Sequence, residues 1–287
     1  MLLEDKLKDP WQFEELLNPA SGVGTSPQID MSGVTFVEPF SMVAFLLLGR
    51  NHLRDTGERI ILRNIPLNIH QYLNRMDFFS HGIFLEQEPL DSRFMLKKNS
   101  ATNSLIEVTA IPGKERESLK VISSVISVFR ARGNRIMKQW LTDNAVDLFV
   151  TVISELCQNI FEHSLDSGLM AMQSYSYGRE KVMRLVIADS GIGIRESFES
   201  ADGFVIESTA SMIEAAYSTP ISSKREHGYG LCQVKAIVER MKGSVYIRSG
   251  DGSLTAIYGR KTGTPNIYLK NGLSRFRGTQ ISISLHG

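Results

Sequence analysis

The sequence predicts an α/β protein in two modules, a smaller one over residues 29–85 and a larger one over residues 104–287, joined by a linker over 86–103. Three observations predict it. Between residues 29 and 79, apolar runs of strand length alternate with longer helix-patterned runs, the order of a small α/β layer. Beyond residue 104, amphipathic helix patterns are followed by short continuous apolar runs such as 185–188, which read as buried strands. Between the two lies EQEPLDSRFMLKKNSATN, polar, broken by Pro89 and without periodicity.

Composition narrows the function classes. With 32 basic and 31 acidic residues the formal charge is +1, so the overall basic excess that neutralises nucleic-acid phosphates is missing. The local run Arg130, Arg132, Arg135 and Lys138 reads as the solvated face of a helix. The N-terminal MLLEDKLKDPW carries acids and lacks the apolar core of a secretory signal, and the longest apolar run, 42–48, is too short to span a bilayer. The expectation is a cytoplasmic protein with no membrane or nucleic-acid partner. Its two cysteines, Cys157 and Cys232, have no metal-ligand spacing and are expected to be buried thiols.

Residues 1–28 form a lead with one short helix around 11–17 and the loop-like NPASGVGTSPQ. IDMSGVTFV then reads as a strand entering a turn, PFSMVAFLLLGRNHLRD as a buried helix, ERIILRNI as a strand and NIHQYLNRMDFF as a second helix. The order of these elements, with DMSGVTFV and the LRNIP turn, resembles a STAS domain, the fold of anti-sigma-factor antagonists. Phosphorylatable members of that family begin the helix with Asp-Ser-Ser-Gly, whereas this chain has Glu38, Pro39, Phe40 and Ser41. Proline stands at the phosphoacceptor position, so the resemblance implies a degenerate module for docking or partner binding. Ser41 is expected to cap the helix amides.

In the larger module SLIEVTAI reads as a strand ending at Pro112, and 115–138 as a helix. A further helix, capped by Thr142 or Asp143, carries ELCQNIFEH, which places Glu155, Asn159 and His163 four residues apart, close to one helical turn. Phe149, Ile153, Leu156 and Ile160 form the apolar stripe beside this polar row, with Thr151, Ser154 and Gln158 turned to water. MRLVIADSGIGI ends a buried strand at Asp189, with Gly191 and Gly193 behind it to let a flat ligand approach the backbone. A dinucleotide-binding reading fails, because the third glycine of that fingerprint would fall at Glu196. EHGYGLCQVKAIVERMKG places Gly228 and Gly230 at the entry to an amphipathic helix, whose free amides suit phosphate oxygens. GTQISISL is a terminal strand introduced by Gly278 and Thr279.

Each of these is a common local pattern. Their conjunction, in this order, resembles the N, G1 and G2 boxes and the closing Gly-Thr of the Bergerat-fold ATPases over residues 104–287. The resemblance implies an α/β sandwich, a mixed sheet covered by helices on one face, that binds ATP and Mg²⁺. Asn159 would give the metal an oxygen, and Asp189 would accept the adenine amino group, with Gly191, Gly193 and Thr279 near the base. Gly228, Gly230 and Leu231 would bring amides to the phosphates, and 195–227 would form a lid. In that lid Lys224 or His227 either reaches the terminal phosphate or remains a solvated charge. Glu155 matches the general base of the members that hydrolyse ATP or phosphorylate serine, and His163 is a packing or hydrogen-bonding neighbour. The expected function is that of an anti-sigma-kinase-like regulator that hydrolyses ATP slowly or phosphorylates Ser/Thr of a regulatory protein partner. A non-catalytic ATP-gated interaction switch and histidine-kinase-type phosphotransfer are the alternatives, and a homodimer is left open.

Overall fold

A computed structural model describes residues 1–3, 7–18, 27–95, 104–113, 123, 126–127, 130–131, 136–138, 142–178, 180–200, 207–223, 230–259 and 265–286. The chain divides into two units, Met1–Thr102 and Asn103–Gly287. Among the described residues no helix is long and apolar enough to cross a membrane.

In the first unit, α1 (Pro10–Leu17) starts where the Asp9 side chain accepts the Gln12 N–H, with Pro10 in the first turn, where its missing donor costs nothing. Phe13 and Leu16 of α1 are buried, as are Leu3 and Leu7, so the lead contributes to the core of this unit. There follow β1 (Gln28–Asp30), α2 (Pro39–Thr56), β2 (Ile60–Arg63), α3 (Leu67–Arg75) and β3 (Phe84–Glu86). The three strands pair in parallel in the order β1-β2-β3, and α2 and α3 supply the crossovers that parallel neighbours require. β1 stops at Asp30 and enters a turn, the order expected within 29–37. The Asp30 carboxylate accepts from the Ser32 N–H at 3.0 Å and the Asn64 amide at 2.8 Å, which turns the chain away from the sheet. Phe45, Phe78 and Phe84 stack at the centre with ring centroids 4.8, 5.3 and 6.3 Å apart. Gly49 lets α2 lie flat on them, since a Cβ there would sit 2.5 Å from Phe84 Cζ.

Ser41 does not cap α2. The N-cap is Glu38, and Ser41, a turn further in and fully buried, donates instead to the Asp9 carbonyl at 3.4 Å.

The second unit contains β4 (Leu105–Ile111), α4 (Asp143–Asn159), β5 (Gly168–Tyr177), β6 (Glu180–Asp189), α5 (Ile194–Glu199), α6 (Thr209–Ser218), α7 (Gly230–Arg240), β7 (Ser244–Gly250), β8 (Gly252–Ile257), β9 (Asn266–Lys270) and β10 (Phe276–His286). Seven strands form one sheet in the order β4-β5-β6-β10-β7-β8-β9. The α/β class holds, with one correction: all six described pairings are antiparallel, where a mixed sheet was expected. The β5–β6, β7–β8 and β8–β9 connections join neighbouring strands directly, and the last strand, β10, inserts between β6 and β7 running against both. Most of the expected 115–138 helix, including Arg132 and Arg135, lies outside the described residues; of its end, Ile136 and Met137 are buried in the core.

Helices α4, α6 and α7 bury their apolar stripes against this sheet. Phe149, Ile153, Leu156 and Ile160 of the α4 segment, Ile213 and Tyr217 of α6, and Val234, Ile237 and Val238 of α7 share one core with Leu185, Ile187, Ile247, Ile281 and Ile283. Each such large side chain contributes about 1.5–3 kcal/mol by leaving water. Thr151 is exposed as expected, but Ser154 and Gln158 are half-buried. Cys157 is buried and its thiol is pushed up to about 12 by that burial. Cys232 is only half-buried, contrary to expectation, because α7 turns it toward the Ala216 carbonyl, 3.8 Å away, and not into the main core.

Candidate functional site

The sheet order brings three chain-distant points together. Asp189 ends β6, Thr279 lies near the start of β10, and Ser249 is close to the end of β7, paired directly with Thr279. The ladder between β10 and β7 shifts register between Phe276 and Thr279, and Gly278 at this bulge has φ +81°. The glycine is required by close approach, since a Cβ there would meet the Asp189 carbonyl oxygen at 2.2 Å. The closing Gly-Thr is therefore a bulge pressed against the end of β6.

The helix bearing Glu155 and Asn159 meets the same point from above. α4 ends at Asn159, and residues Ile160–Ser164 continue as a π-turn closed by Leu165 at φ +60°. Glu155 and Asn159 lie one α-turn apart, but His163 falls in the wider turn, so the expected row of three on one regular helix is broken. The extra residue per turn aims Ser164 inward, where its hydroxyl donates to Asp189 Oδ1 at 2.7 Å. π-turns of this kind are frequent where a helix must re-aim a side chain at a site.

Asp189 is the most constrained group here. It is 4% exposed, and besides Ser164 its Oδ1 accepts the Gly191 N–H at 2.8 Å. The Thr279 backbone N–H also bonds its carboxylate. Burial pushes the carboxyl up to about 6, opposed by the Ser164, Gly191 and Thr279 donors. An ionised carboxylate has roughly four acceptor positions. Three are taken, and the residue lines a cleft, so acceptor capacity for one more donor remains there. The rise from 3.8 to about 6 is a cost of at most about 3 kcal/mol at neutral pH. Its sign follows from proton binding: the native state holds the proton more tightly, so stability from this group falls as pH rises from about 4 through 6.

An open cleft lies among these groups. Asn159, Asp189, Gly193, Gly230, Leu231 and Thr279 all line it. Gly193 has φ +88° and begins α5, whose Ile194 N–H is held by Ser249 Oγ at 2.8 Å. Gly230 begins α7 against α4: a Cβ there would lie 2.8 Å from Asn159 Nδ2 and 3.6 Å from Glu155 Cβ. Glu155 is thus beside the start of α7 without lining the cleft. Gly191 does not line it either; its missing side chain makes room for Ser164, whose carbonyl oxygen would be 1.8 Å from a Cβ. Lys224, His227 and Gly228 lie outside the described residues.

His163 reaches the cleft wall, where Ser197 Oγ and Ser223 Oγ stand 3.3 and 3.1 Å from its Nδ1 and 2.7 Å from each other. The expected lid over 195–227 narrows accordingly. α6 in its middle belongs to the fixed layer, with Tyr217 fully buried and its hydroxyl 3.2 Å from that of Tyr258. The helix is pinned at its start, where Asn271 Oδ1 accepts the Ala210 N–H at 2.9 Å. Of the segment between α6 and α7, Ile221, Ser222 and Ser223 line the cleft.

Ser164, Ser249 and Gln280 were missed by sequence reasoning. Gln280, 1% exposed, donates to the Asp189 carbonyl at 3.0 Å and so ties β10 to the strand end. For Ser164 a signal existed: it is the hydroxyl that interrupts the Leu156-Ile160 apolar row. For Ser249 and Gln280 none did, since both sit in ordinary strand alternation.

Chemically, the cleft is lined by a carboxylate acceptor at Asp189, the Asn159 carboxamide and the start of α7 at Gly230. Among the described residues no cluster of three His, Cys, Asp or Glu side chains is placed to hold a metal. Residues 144–285 match the family described as Histidine kinase-, DNA gyrase B-, and HSP90-like ATPase. No curated protein matches the chain.

Proposed function

We propose that this chain, whose second unit carries a histidine kinase-, DNA gyrase B- and HSP90-like ATPase domain over residues 144–285, binds ATP with Mg²⁺ and uses it to act on a protein partner. The observation that carries the reading is Asp189, a buried carboxylate that lines the cleft with three donors already in place and capacity for a fourth. That fourth donor is the adenine amino group. Gly193 and Thr279 flank the base, while Gly230 and Leu231, with Lys224 and Gly228 beyond the described residues, surround the phosphates.

Asn159 offers an amide oxygen to Mg²⁺, a hard ion that keeps water and phosphate oxygens as its other ligands. When bound, the ion neutralises phosphate charge. Glu155, beside the start of α7, is the general base that takes a proton from water or from a serine or threonine hydroxyl. The finer reading is an anti-sigma-kinase-like ATPase or Ser/Thr kinase with a STAS-like first unit that docks a regulatory partner. Labelled ATP and Mg²⁺, incubated with the full chain and with Glu155→Ala, test it. Both should bind nucleotide, and the variant should turn it over about 100-fold more slowly. Binding without turnover in either form would leave the second reading, an ATP-gated switch, which the proline at N1 of α2 in place of a phosphoacceptor favours.

Ser164 acts through Asp189 as a positioning residue. Its removal withdraws a donor that holds the carboxyl down, so in Ser164→Ala the pH midpoint for ATP binding, expected near 6, should move upward. Affinity at pH 7 should fall several-fold, the loss of about one hydrogen bond to a charged group. Titration calorimetry between pH 5.5 and 8 reads both, and an unmoved midpoint would remove Ser164 from the site.

A further inference from the structure

The hydroxyls of Ser197 and Ser223 meet the His163 imidazole on the wall of the cleft, and the proposed function uses none of the three. Ser223 Oγ is 3.1 Å and Ser197 Oγ 3.3 Å from Nδ1, and the two oxygens are 2.7 Å apart. The side chains come from separate places in the chain: Ser197 from α5, Ser223 from the segment after α6, and His163 from the π-turn that follows α4. The wider turn that took His163 out of line with Glu155 and Asn159 thus delivered it to two hydroxyls.

The surroundings of the ring set the proton order. On its far side Nε2 stands 3.9 Å from Glu162 Oε2, and the other oxygen of that carboxylate accepts the Gln158 side-chain amide at 2.8 Å. A carboxylate beside Nε2 favours the tautomer with its proton there, which leaves the Nδ1 lone pair to accept. One lone pair takes one O–H. Ser197 is 5% exposed, while Ser223 is half-buried and nearer the nitrogen. The order that satisfies all three groups has Ser197 donating to Ser223 and Ser223 donating to His163. A hydroxyl held on an imidazole, with the imidazole backed by a third group, is the arrangement of an activated nucleophile. Phe198, Ile221 and Leu231 line the same cleft, and an apolar surround strengthens such a chain.

We propose that Ser223 accepts the terminal phosphoryl group of a nucleoside triphosphate bound in its own cleft, with His163 as the base. This rests on ATP binding there, with the phosphates toward Gly230 and Leu231. Ser223 immediately precedes residues 224–229, Gly230 immediately follows them, and both line the cleft, so the hydroxyl borders the stretch assigned to the phosphates. Ser223 Oγ attacks the γ-phosphorus, the bond from that phosphorus to the β–γ bridging oxygen breaks, and its electron pair leaves with ADP. The hydroxyl proton passes to His163 Nδ1. The products are phosphoserine and ADP, and no other reactant is needed. A phosphoserine carries about −1.5 to −2 charges at neutral pH, so in the cleft it opposes entry of a second triphosphate.

The full chain incubated with γ-labelled ATP and Mg²⁺ tests this on the parent itself, without depending on the folding of any variant. Acid-stable label should approach one phosphate per chain, with a rate constant independent of protein concentration, and peptide mass spectrometry should map it to Ser223. His163→Ala should label about 100-fold more slowly, and added imidazole should restore part of the rate, which a His163 that only packs the wall would not show. Calorimetry with ATP runs alongside. A parent that binds ATP but gains no label at Ser223 overturns the proposal and leaves ATP binding standing, whereas a parent that binds no ATP removes both. Label at Ser197, at Ser222 or on an acid-labile histidine also overturns it. So does a rate constant that rises with protein concentration, or undiminished labelling of His163→Ala.

Discussion

Asp189→Asn is expected to abolish ATP binding, by two orders of magnitude or more, while leaving the second unit folded. The substitution keeps an oxygen for the Ser164 and Gly191 donors but turns the other acceptor into an amide NH₂. That NH₂ then faces both the Thr279 N–H and the adenine amino group. Losing a hydrogen bond to a charged acceptor and leaving a buried donor opposed costs about 3–4 kcal/mol of binding. Folding feels two opposed effects: one donor loses its acceptor, and a carboxylate that burial pushes up to about 6 is removed. These offset to within about 2 kcal/mol. The inverse experiment is sharper. Inosine triphosphate carries a carbonyl where ATP carries the amino group, so the parent should prefer ATP and Asp189→Asn should reverse the order. Calorimetry with both nucleotides and both proteins decides it. A variant that keeps its preference for ATP would place the base elsewhere in the cleft.

Asn159 and Asp189 were legible in the sequence because each is marked locally, one by helical spacing to Glu155 and the other by a buried strand that stops at a carboxylate before two glycines. What completes the site is not local. Ser164 reaches Asp189 across 25 residues, Ser249 reaches Thr279 across 30 and Gln280 reaches Asp189 across 91. A period-2 pattern marks a strand but says nothing of its neighbours, so neither the insertion of β10 between β6 and β7 nor the antiparallel sheet could be read from it. Helical periodicity likewise presumes 3.6 residues per turn, and the π-turn after Asn159 moved His163 out of the row and Ser164 into the site. Ser41 failed for a related reason: serine near a helix start suggests a cap, but its position a turn inside α2 put it in the core.

The largest effect on stability is expected from Gly191→Ala, and it separates two roles that a glycine behind a ligand-binding carboxylate can have. A glycine that serves ligand approach tolerates alanine in the free protein and shows its cost only on binding. Gly191 is of the other kind: a Cβ would lie 1.8 Å from the Ser164 carbonyl oxygen, 2.2 Å from its Oγ and 2.6 Å from its carbonyl carbon. Two of these are backbone atoms of a turn that also accepts the Ile192 N–H at 3.0 Å, so no rotamer change relieves the clash. The π-turn and the β6 end must move apart. Overpacking against backbone is at the upper end of its range, about 3 kcal/mol or more, which for a unit of this size lowers the melting temperature by about 10 °C. Gly57→Ala is the control, with a positive φ of +77° but nothing within 4 Å of its Cβ, and should cost only about 1 kcal/mol. Moving Ser164 also withdraws its donor from Asp189, so the rise in melting temperature that saturating ATP gives the parent should shrink in Gly191→Ala. It should be retained in Gly57→Ala. A Gly191→Ala variant that melts within a degree or two of the parent would mean that the turn and strand end are not packed in this way.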